Sequence, residues 1–105
     1  MSSATRKYFV VRLLPPRPSF PFDMTDDERG IMQQHVAYWT ERLREGMAVA
    51  FGPGADPNGA WGLGVVECDA AEQIEALEAN DPAIKAGIGF RYEVLPMPQA
   101  VVRPR

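Results

Sequence analysis

The stretch MAVAFGPGADPNGAWGLGVVEC, residues 47–68, decides the fold. It is rich in β-branched and aromatic residues at both ends, and its Gly- and Pro-rich centre, 52–59, contains the turn signal Asn58-Gly59. The pattern predicts two strands, at 47–51 and 60–68, that pair as an antiparallel hairpin with a long tip.

Side-chain alternation divides the second strand of this hairpin between two faces. Gly62 and Gly64 fall on one face, whereas Leu63 and Val65 fall on the other. Two glycines on a strand face either let a helix pack closely or leave room for a small ligand. Both interpretations remain open at the level of the sequence.

A helix is predicted upstream of the hairpin, from about residue 26 to about residue 45. Thr25 and Glu28 form a capping box at its start, and Gly46 stops it. His35 and Trp39 lie near the middle of its apolar arc, so both are expected to point inward. The whole arc comprises Ile31, Met32, His35, Val36, Trp39 and Leu43.

Two segments precede this helix. Residues 7–14 are β-branched and aromatic and predict the first strand. Residues 15–24 contain four prolines, a density that predicts an extended loop without a helix. Phe20 and Phe22 are expected to anchor this loop, where they either pack on the domain or cover the mouth of a pocket.

A second helix follows the hairpin. Asp69 and Glu72 repeat the capping pattern at its start, and Ile74 and Leu77 are expected to face inward. The dipeptide Asp81-Pro82 then predicts the cap and first position of a short helical turn.

The fourth strand is predicted from the alternating residues 90–95, which Pro96 ends. Residues 96–105 are expected to form an extended tail with solvated arginines.

This element order predicts one α+β domain, residues 1–105, with a ferredoxin-like β-α-β-β-α-β sandwich. Both helices then cover one face of the sheet. The strands are nevertheless apolar on both faces, as 9–11 and 65–66 illustrate, and that pattern is typical of a sheet buried on both sides. We therefore expect a homodimer in which a second copy covers the free face.

Composition restricts the classes of function. The chain has 105 residues, a net charge of -3 and a pI of about 5.1, which does not resemble the basic footprint of a nucleic-acid-binding protein. No apolar run approaches the roughly 20 residues of a membrane helix. The short N-terminal apolar run is broken by Arg12 and predicts a strand instead of a signal peptide. We expect a cytoplasmic protein with neither nucleic-acid nor membrane partners.

Sites for a metal or a cofactor are not indicated. One histidine and one cysteine without clustered spacing do not supply a zinc site. Gly52-Pro53-Gly54 lacks the lysine and hydroxyl residue of a phosphate loop. Cys68, the only cysteine, permits no internal disulfide and is expected to be structural.

His35 is the only histidine and the natural acid–base group at neutral pH. On an inward helix face it is either a core histidine bonded to the backbone or a catalytic residue. The capping role is sufficient to explain why position 81 is an aspartate. A carboxylate held by backbone N–H groups nevertheless stays ionised and can orient an imidazole, so the two roles of Asp81 are compatible. Whether Asp81 reaches His35 does not follow from the sequence.

A small pocket is expected beside these two residues, although aromatic side chains in a domain of this size are more often core residues. Its expected lining comprises Trp39, Phe51, Gly52, Pro53, Gly62, Gly64 and Phe90.

Three features resemble the YCII-related (YciI-like) family. They are residues 46–68, residues 80–87 (NDPAIKAG), and a histidine on the first helix, His35. The resemblance implies a dimeric α+β barrel with a histidine and an aspartate in its pocket, and relatives of the fold include isomerases, dehydrochlorinase-like proteins and oxygenases. Residues 15–24 are longer than the usual first loop of the family, which alters the pocket mouth.

Two functions are consistent with these features. The first is a cofactor-independent isomerase- or lyase-type enzyme in which His35 moves a proton on a small cyclic or aromatic molecule and Asp81 orients the imidazole. The second is a non-catalytic module that binds a small ligand or serves as a dimerising scaffold.

Overall fold

The computed structural model describes residues 6–104, whose elements follow the predicted order, including the short helical turn after Asp81, with one further short helix in the segment 15–24. The α+β class is confirmed, while Arg105 and part of the predicted domain, 1–5, lie outside the described residues. None of the described helices is long and apolar enough to cross a membrane. The elements are β1 (Lys7–Leu14), α1 (Phe20–Asp23), α2 (Asp26–Glu45), β2 (Ala48–Gly54), β3 (Trp61–Cys68), α3 (Ala71–Asn80), α4 (Pro82–Lys85) and β4 (Arg91–Met97).

The four strands form one antiparallel sheet in the order β2-β3-β1-β4. Val11 in the middle of β1 lies opposite Gly64 of β3 and Val94 of β4. Trp39 of α2 and Leu77 of α3 share one buried cluster with Val11, so both long helices cover the same sheet face. This arrangement is the predicted β-α-β-β-α-β sandwich.

The capping box at the start of α2 is confirmed. Oγ1 of Thr25 accepts from the backbone N–H of Glu28 at 3.1 Å, and Oε1 of Glu28 accepts from the backbone N–H of Thr25 at 2.9 Å. Gly46 ends the helix in the left-handed region at φ 89°, where a Cβ would be strained.

The predicted apolar arc of α2 is buried only in its middle. His35 and Trp39 are buried, whereas Val36 and Leu43 are 49% and 40% exposed. The predicted apolar arc is wider than the surface of α2 that is buried. This helix packs on β2 and α4, and the two edges of its apolar arc remain exposed to solvent.

The prediction that residues 15–24 contain no helix is wrong. Pro21 lies in the first turn of α1, where a missing N–H costs no helical hydrogen bond. Phe20 is buried and meets Phe90 edge to face, with ring centroids 5.0 Å apart. Phe22 is 90% exposed, so one of the two predicted anchors packs on the domain and the other does not.

Two strands are longer than predicted. β2 continues through Pro53, which lies opposite Gly62, and β4 continues through Pro96 to Met97, so the tail begins at residue 98. Both strands lie at the edges of the sheet, where a proline need not donate to a neighbouring strand.

The start of α3 is one residue later than predicted. Ala70 occupies the cap position without a side-chain acceptor, so the predicted Asp69–Glu72 pair does not form. Oε1 of Gln73 instead accepts from the backbone N–H groups of Asp69 and Ala70, at 2.7 and 3.2 Å. Half of a capping box is therefore present, and Ile74 and Leu77 are buried as predicted.

Candidate functional site

Asp81 is a fully buried carboxylate at the junction of α3 and α4. Its Oδ1 accepts from the backbone N–H of Ala83 at 2.9 Å, and Pro82 occupies the first position of α4. The predicted cap is therefore present. Because one backbone donor holds the carboxylate in place, its remaining lone pairs are available to groups on other elements.

His35 of α2 meets this carboxylate. Its Nδ1 lies 2.9 Å from Oδ1 and 3.0 Å from Oδ2 of Asp81. An ionised carboxylate only accepts, so Nδ1 carries the hydrogen and the neutral ring keeps an accepting lone pair on Nε2. Nε2 has no hydrogen-bond partner among residues 6–104. It also remains accessible to solvent, since the buried polar atoms without a partner are Nε of Arg12 and Nε of Arg42 in the described part of the chain. The structure thus brings together two residues whose contact the sequence left open.

Two further side chains donate to the same carboxylate. Nε1 of Trp39, one helical turn after His35, lies 3.0 Å from Oδ2 of Asp81. The hydroxyl of Tyr92, on β4, lies 2.5 Å from the same oxygen. Together with Ala83 and His35, these groups surround the buried charge with four donors.

The hydrogen bonds decide the protonation state of this cluster. Burial alone raises the pKa of Asp81, but the bonds from His35, Tyr92 and Ala83 outweigh it, and the net pKa lies below the ordinary carboxyl value. Burial, and then the bond to Asp81, raise the pKa of Tyr92 far above its usual range. At neutral pH Asp81 is therefore ionised, while Tyr92 keeps its proton and donates.

A cavity of about 250 Å³ lies between the sheet, α2 and the segment 15–24, and His35 lines it. All seven residues that the sequence assigned to the pocket line it: Trp39, Phe51, Gly52, Pro53, Gly62, Gly64 and Phe90. Asp81 is not part of the lining, since it lies behind the imidazole. Among the lining residues in the described part of the chain, His35 alone has an ionisable side chain.

The strand glycines differ in what they do. A Cβ on Gly64 would lie 2.5 Å from the Trp39 ring, so this glycine permits close packing of helix on sheet. A Cβ on Gly62 would lie 3.2 Å from Cβ of Leu13, which is also tight. Nothing lies within 4 Å of a Cβ on Gly52, which borders open space. Packing thus accounts for the β3 glycines.

The proline-rich segment closes one side of the cavity, to which Pro15, Phe20, Pro21 and Met24 contribute. Phe20 packs on the domain through Phe90 and also lines the cavity, so the two interpretations of this segment apply together.

Arg17 ties the proline-rich segment to the start of α2. Its guanidinium donates two hydrogen bonds to the carboxylate of Glu28, at 2.8 and 2.9 Å, and two to Asp23, at 2.8 Å to Oδ1 and 3.0 Å to the backbone carbonyl oxygen. The Arg17 bonds, followed by the bond from the Thr25 backbone, lower the pKa of Glu28 to about 2. This clamp remains charged on both sides throughout the neutral range.

Other reactive groups lie apart from this cavity. No group of three His, Cys, Asp or Glu side chains within residues 6–104 is arranged to hold a metal ion. Cys68 is buried, its Sγ lies 3.4 Å from the Ala70 carbonyl oxygen, and burial raises the pKa of its thiol. A thiolate is accordingly disfavoured there at neutral pH.

Comparison with known families gives a match to the YCII-related domain over residues 8–98. The chain belongs to the YCII-related family. The match includes all of the sheet except the first residue of β1, together with both long helices, and with them His35, Asp81 and Tyr92. The family assignment made from residues 46–68 and 80–87 is therefore confirmed.

A solved structure of similar fold is that of the uncharacterized protein TM1266 from Thermotoga maritima. It aligns with a TM-score of 0.51 and 14% sequence identity, over 88% of this YCII-related chain and 96% of the other. At that identity the likeness concerns the fold alone. No curated protein matches the sequence.

Tyr92 is the site residue that sequence reasoning missed in this YCII-related domain. The sequence placed it on the last strand without a role. A signal was available, because alternation puts Tyr92 on the same face as Val94, toward the helices, and a buried hydroxyl there needs a partner. The identity of that partner, Asp81, was not encoded in any local pattern.

Proposed function

We propose that this protein is a cofactor-independent acid–base enzyme acting on a small cyclic or aromatic molecule bound in the cavity. His35 transfers the proton, and Asp81 orients the imidazole and stabilises its protonated form. One observation carries the proposal. A buried carboxylate holds Nδ1 of His35 at 2.9 Å, and Nε2 of the same ring, beside an apolar cavity, has no hydrogen-bond partner among residues 6–104.

The reaction begins with removal of a proton from a C–H bond of the ligand by Nε2. The electron pair of that bond forms a new C=C bond, and the imidazolium is paired with ionised Asp81. In an isomerase the π pair of the neighbouring C=O or C=C bond shifts to the far atom of that bond, and the proton returns to that atom. In a lyase a leaving group departs with its bonding electron pair, and the proton passes to solvent. General-base catalysis of this kind contributes roughly 10²–10⁴-fold.

The small number of reactive groups favours a second candidate function, a module that binds a small ligand without transforming it. Beyond His35, the lining residues within 6–104 are apolar, or use their polar atoms elsewhere. Such a cavity can hold a molecule by burial of apolar surface alone. The two candidates differ in whether bound ligand exchanges protons with His35.

We further propose that the protein is a homodimer of the dimeric α+β barrel type. The sheet face opposite the helices, here called the open face, carries the row Ala50, Val65, Val10 and Leu95 across all four strands. Leu95 is 52% exposed and Leu63, on the same face, is 39% exposed. A second copy would remove this apolar surface from water. The ion pair of Arg12 with Glu93, 2.6 Å long, also lies on this face.

Exchange of ligand hydrogen with solvent tests the catalytic proposal for the isomerase and the lyase alike, because both reactions begin with the same proton removal. A panel of uncharged cyclic ketones, lactones and β-substituted carbonyl compounds is incubated with the protein in D₂O and followed by NMR. We expect the wild type to incorporate deuterium into at least one compound, or to convert it. His35→Gln should slow this by about 10²-fold or more, since the general base is gone.

The matched control is Gln34→Ala, which alters an exposed neighbour on α2. It should retain wild-type exchange, and both variants should retain the far-UV circular dichroism of the wild type. Turnover by His35→Gln at the wild-type rate would contradict the catalytic proposal. Binding of a panel member without exchange would favour the binding module.

A further inference from the structure

Among the side chains of residues 6–104, the cavity offers a ligand one nitrogen atom that is not already hydrogen-bonded. Among the lining residues, His35, Trp39 and Trp61 have side-chain nitrogens. Nε1 of Trp39 donates to Asp81, and Nε1 of Trp61 donates to Asp56 at 3.0 Å. Nδ1 of His35 is also engaged by Asp81. Nε2 of His35 is the atom that remains free among the side chains described.

The polar atoms of the lining side chains disfavour a charged ligand. A carboxylate or phosphate in the cavity would meet no lysine or arginine among the described lining residues, and the ionised Asp81 lies directly behind the imidazole. An uncompensated anion in apolar surroundings pays a large desolvation cost. An ammonium group would meet only Nε2 as an acceptor and would suppress the proton uptake on which the proposed function depends.

The size of the cavity limits the ligand as well. An apolar cavity of about 150 Å³ accommodates a benzene ring. The present cavity, at about 250 Å³, is larger than that and falls below the lower end of the range for drug-sized ligands, about 300 Å³. The aromatic residues Trp39 of α2, Phe51 of β2 and Phe90, which directly precedes β4, form part of its wall.

We infer that the site takes an uncharged molecule of one or two rings that carries a single polar group and directs one acidic C–H or O–H bond at Nε2 of His35. This inference rests on the proposed function and names its substrate class. It adds a chemical preference. Because no further side-chain donor among residues 6–104 faces the cavity, side chains do not neutralise the negative charge that develops on proton removal, and a substrate that delocalises this charge is favoured. An enone, a quinone-like ring or a good leaving group meets that preference.

Four probes of one shape test the inference: naphthalene, 2-naphthol, 2-naphthoate and (2-naphthyl)methylammonium. Binding is followed through the indole N–H signals of Trp39 and Trp61 in ¹H–¹⁵N NMR spectra, at pH 7.5. We expect 2-naphthol to bind at least about tenfold more tightly than either charged probe. It should also bind more tightly than naphthalene, because its hydroxyl donates to Nε2.

A gain of anion binding provides the second arm. Val36 lines the cavity and is half-exposed, so Val36→Lys adds a cation at the cavity edge without burying it. This variant should bind 2-naphthoate about tenfold more tightly than the wild type does. Leu43→Lys, on the same helix, similarly exposed and outside the cavity lining, is the matched control and should leave 2-naphthoate binding unchanged.

Equal or tighter binding of a charged probe by the wild type overturns the inference, and so does failure of all four probes to bind at millimolar concentration. A charged preference together with loss of deuterium exchange in His35→Gln would overturn the substrate class and leave the proposed function standing. The expected probe order together with undiminished exchange in His35→Gln would overturn the proposed function and leave the ligand class standing.

Discussion

At the scale of single residues, Asp81 combines a backbone role with a place in the site. One of its oxygens caps α4 through Ala83, and the other accepts from Trp39 and Tyr92. A residue that a helix start already requires thus also fixes the tautomer of His35. An ionised group can be fully buried here because four donors, from α2, α4 and β4, surround it.

The pH dependence of stability should reveal this carboxylate. Its folded pKa lies below the unfolded value of about 3.9, so its contribution is fully present above about pH 4 and is lost as the pH falls through the folded pKa. We expect Asp81→Asn to cost about 2 kcal/mol of unfolding free energy at pH 7 and progressively less below pH 4. Urea denaturation between pH 7 and pH 3 measures the difference.

Glu75→Gln supplies the control for that series, because Glu75 is an exposed carboxylate of α3. Its unfolding free energy should match that of the wild type at neutral pH. A cost of Asp81→Asn that stayed constant down to pH 3 would mean that the native carboxylate is not held in its ionised form.

At the scale of elements, the contact of α2 with the sheet depends on Gly64. A methyl group there would overlap the Trp39 ring, which is fixed by Phe51 on one side and by its bond to Asp81. We expect Gly64→Ala to reduce the unfolding free energy by about 1–3 kcal/mol, measured by urea denaturation, because the ring must move and overpacked cores cost that much.

Gly52→Ala is the matched strand control, since a Cβ at Gly52 meets nothing within 4 Å. Its effect on stability should be markedly smaller than that of Gly64→Ala. Similar losses for both variants would show that strand flexibility, and not the approach of Trp39, requires the glycine.

The segment 15–24 is held as an element by Arg17. Removing this side chain frees Asp23 and Glu28 from the clamp while Phe20 still packs on Phe90. We expect Arg17→Ala to accelerate amide hydrogen exchange in 18–24 severalfold, as read by mass spectrometry, because opening of the segment no longer breaks the ion pairs.

Arg29→Ala is the control, because Arg29 pairs with Asp26 at the same helix end but is largely exposed and does not reach the segment. Exchange in 18–24 should match the wild type in this variant. Unchanged exchange in Arg17→Ala would mean that Phe20 alone holds the segment closed.

At the scale of the whole molecule, the open face is the feature on which the expected oligomeric state depends. On this face Val10 lies between Val65 and Leu95, so its middle row is apolar across neighbouring strands. Among residues 6–104 both long helices pack on the opposite face. The proposed dimer follows from this asymmetry between the two faces of one sheet.

Leu95→Glu should therefore convert the dimer to a monomer at micromolar concentration, because it places a charge in the apolar row. Multi-angle light scattering measures the mass. Leu43→Glu, which changes a similarly exposed leucine of α2, should remain dimeric. A wild-type chain that is a stable monomer at micromolar concentration would contradict the dimer itself.

Local patterns accounted for most of the fold. The capping box at Thr25, the stop at Gly46 and the cap at Asp81 were all predicted, because each depends on residues within a few positions of one another. The errors in strand length and in the segment 15–24 were of one kind. Proline was read as ending strands and excluding helices, whereas at a sheet edge or in a first turn the missing N–H costs little.

The sequence by itself determined the order of the strands and long helices, the inward direction of His35 and seven residues of the pocket wall, since hydrophobic periodicity records which side chains leave water. Only the tertiary structure decided that His35 meets Asp81, 46 residues away, that Tyr92 joins them and that Trp39 occupies the space beside Gly64. Those contacts depend on the distances between packed helices and strands. Such distances are set by the whole core together, and no stretch of the chain encodes them alone.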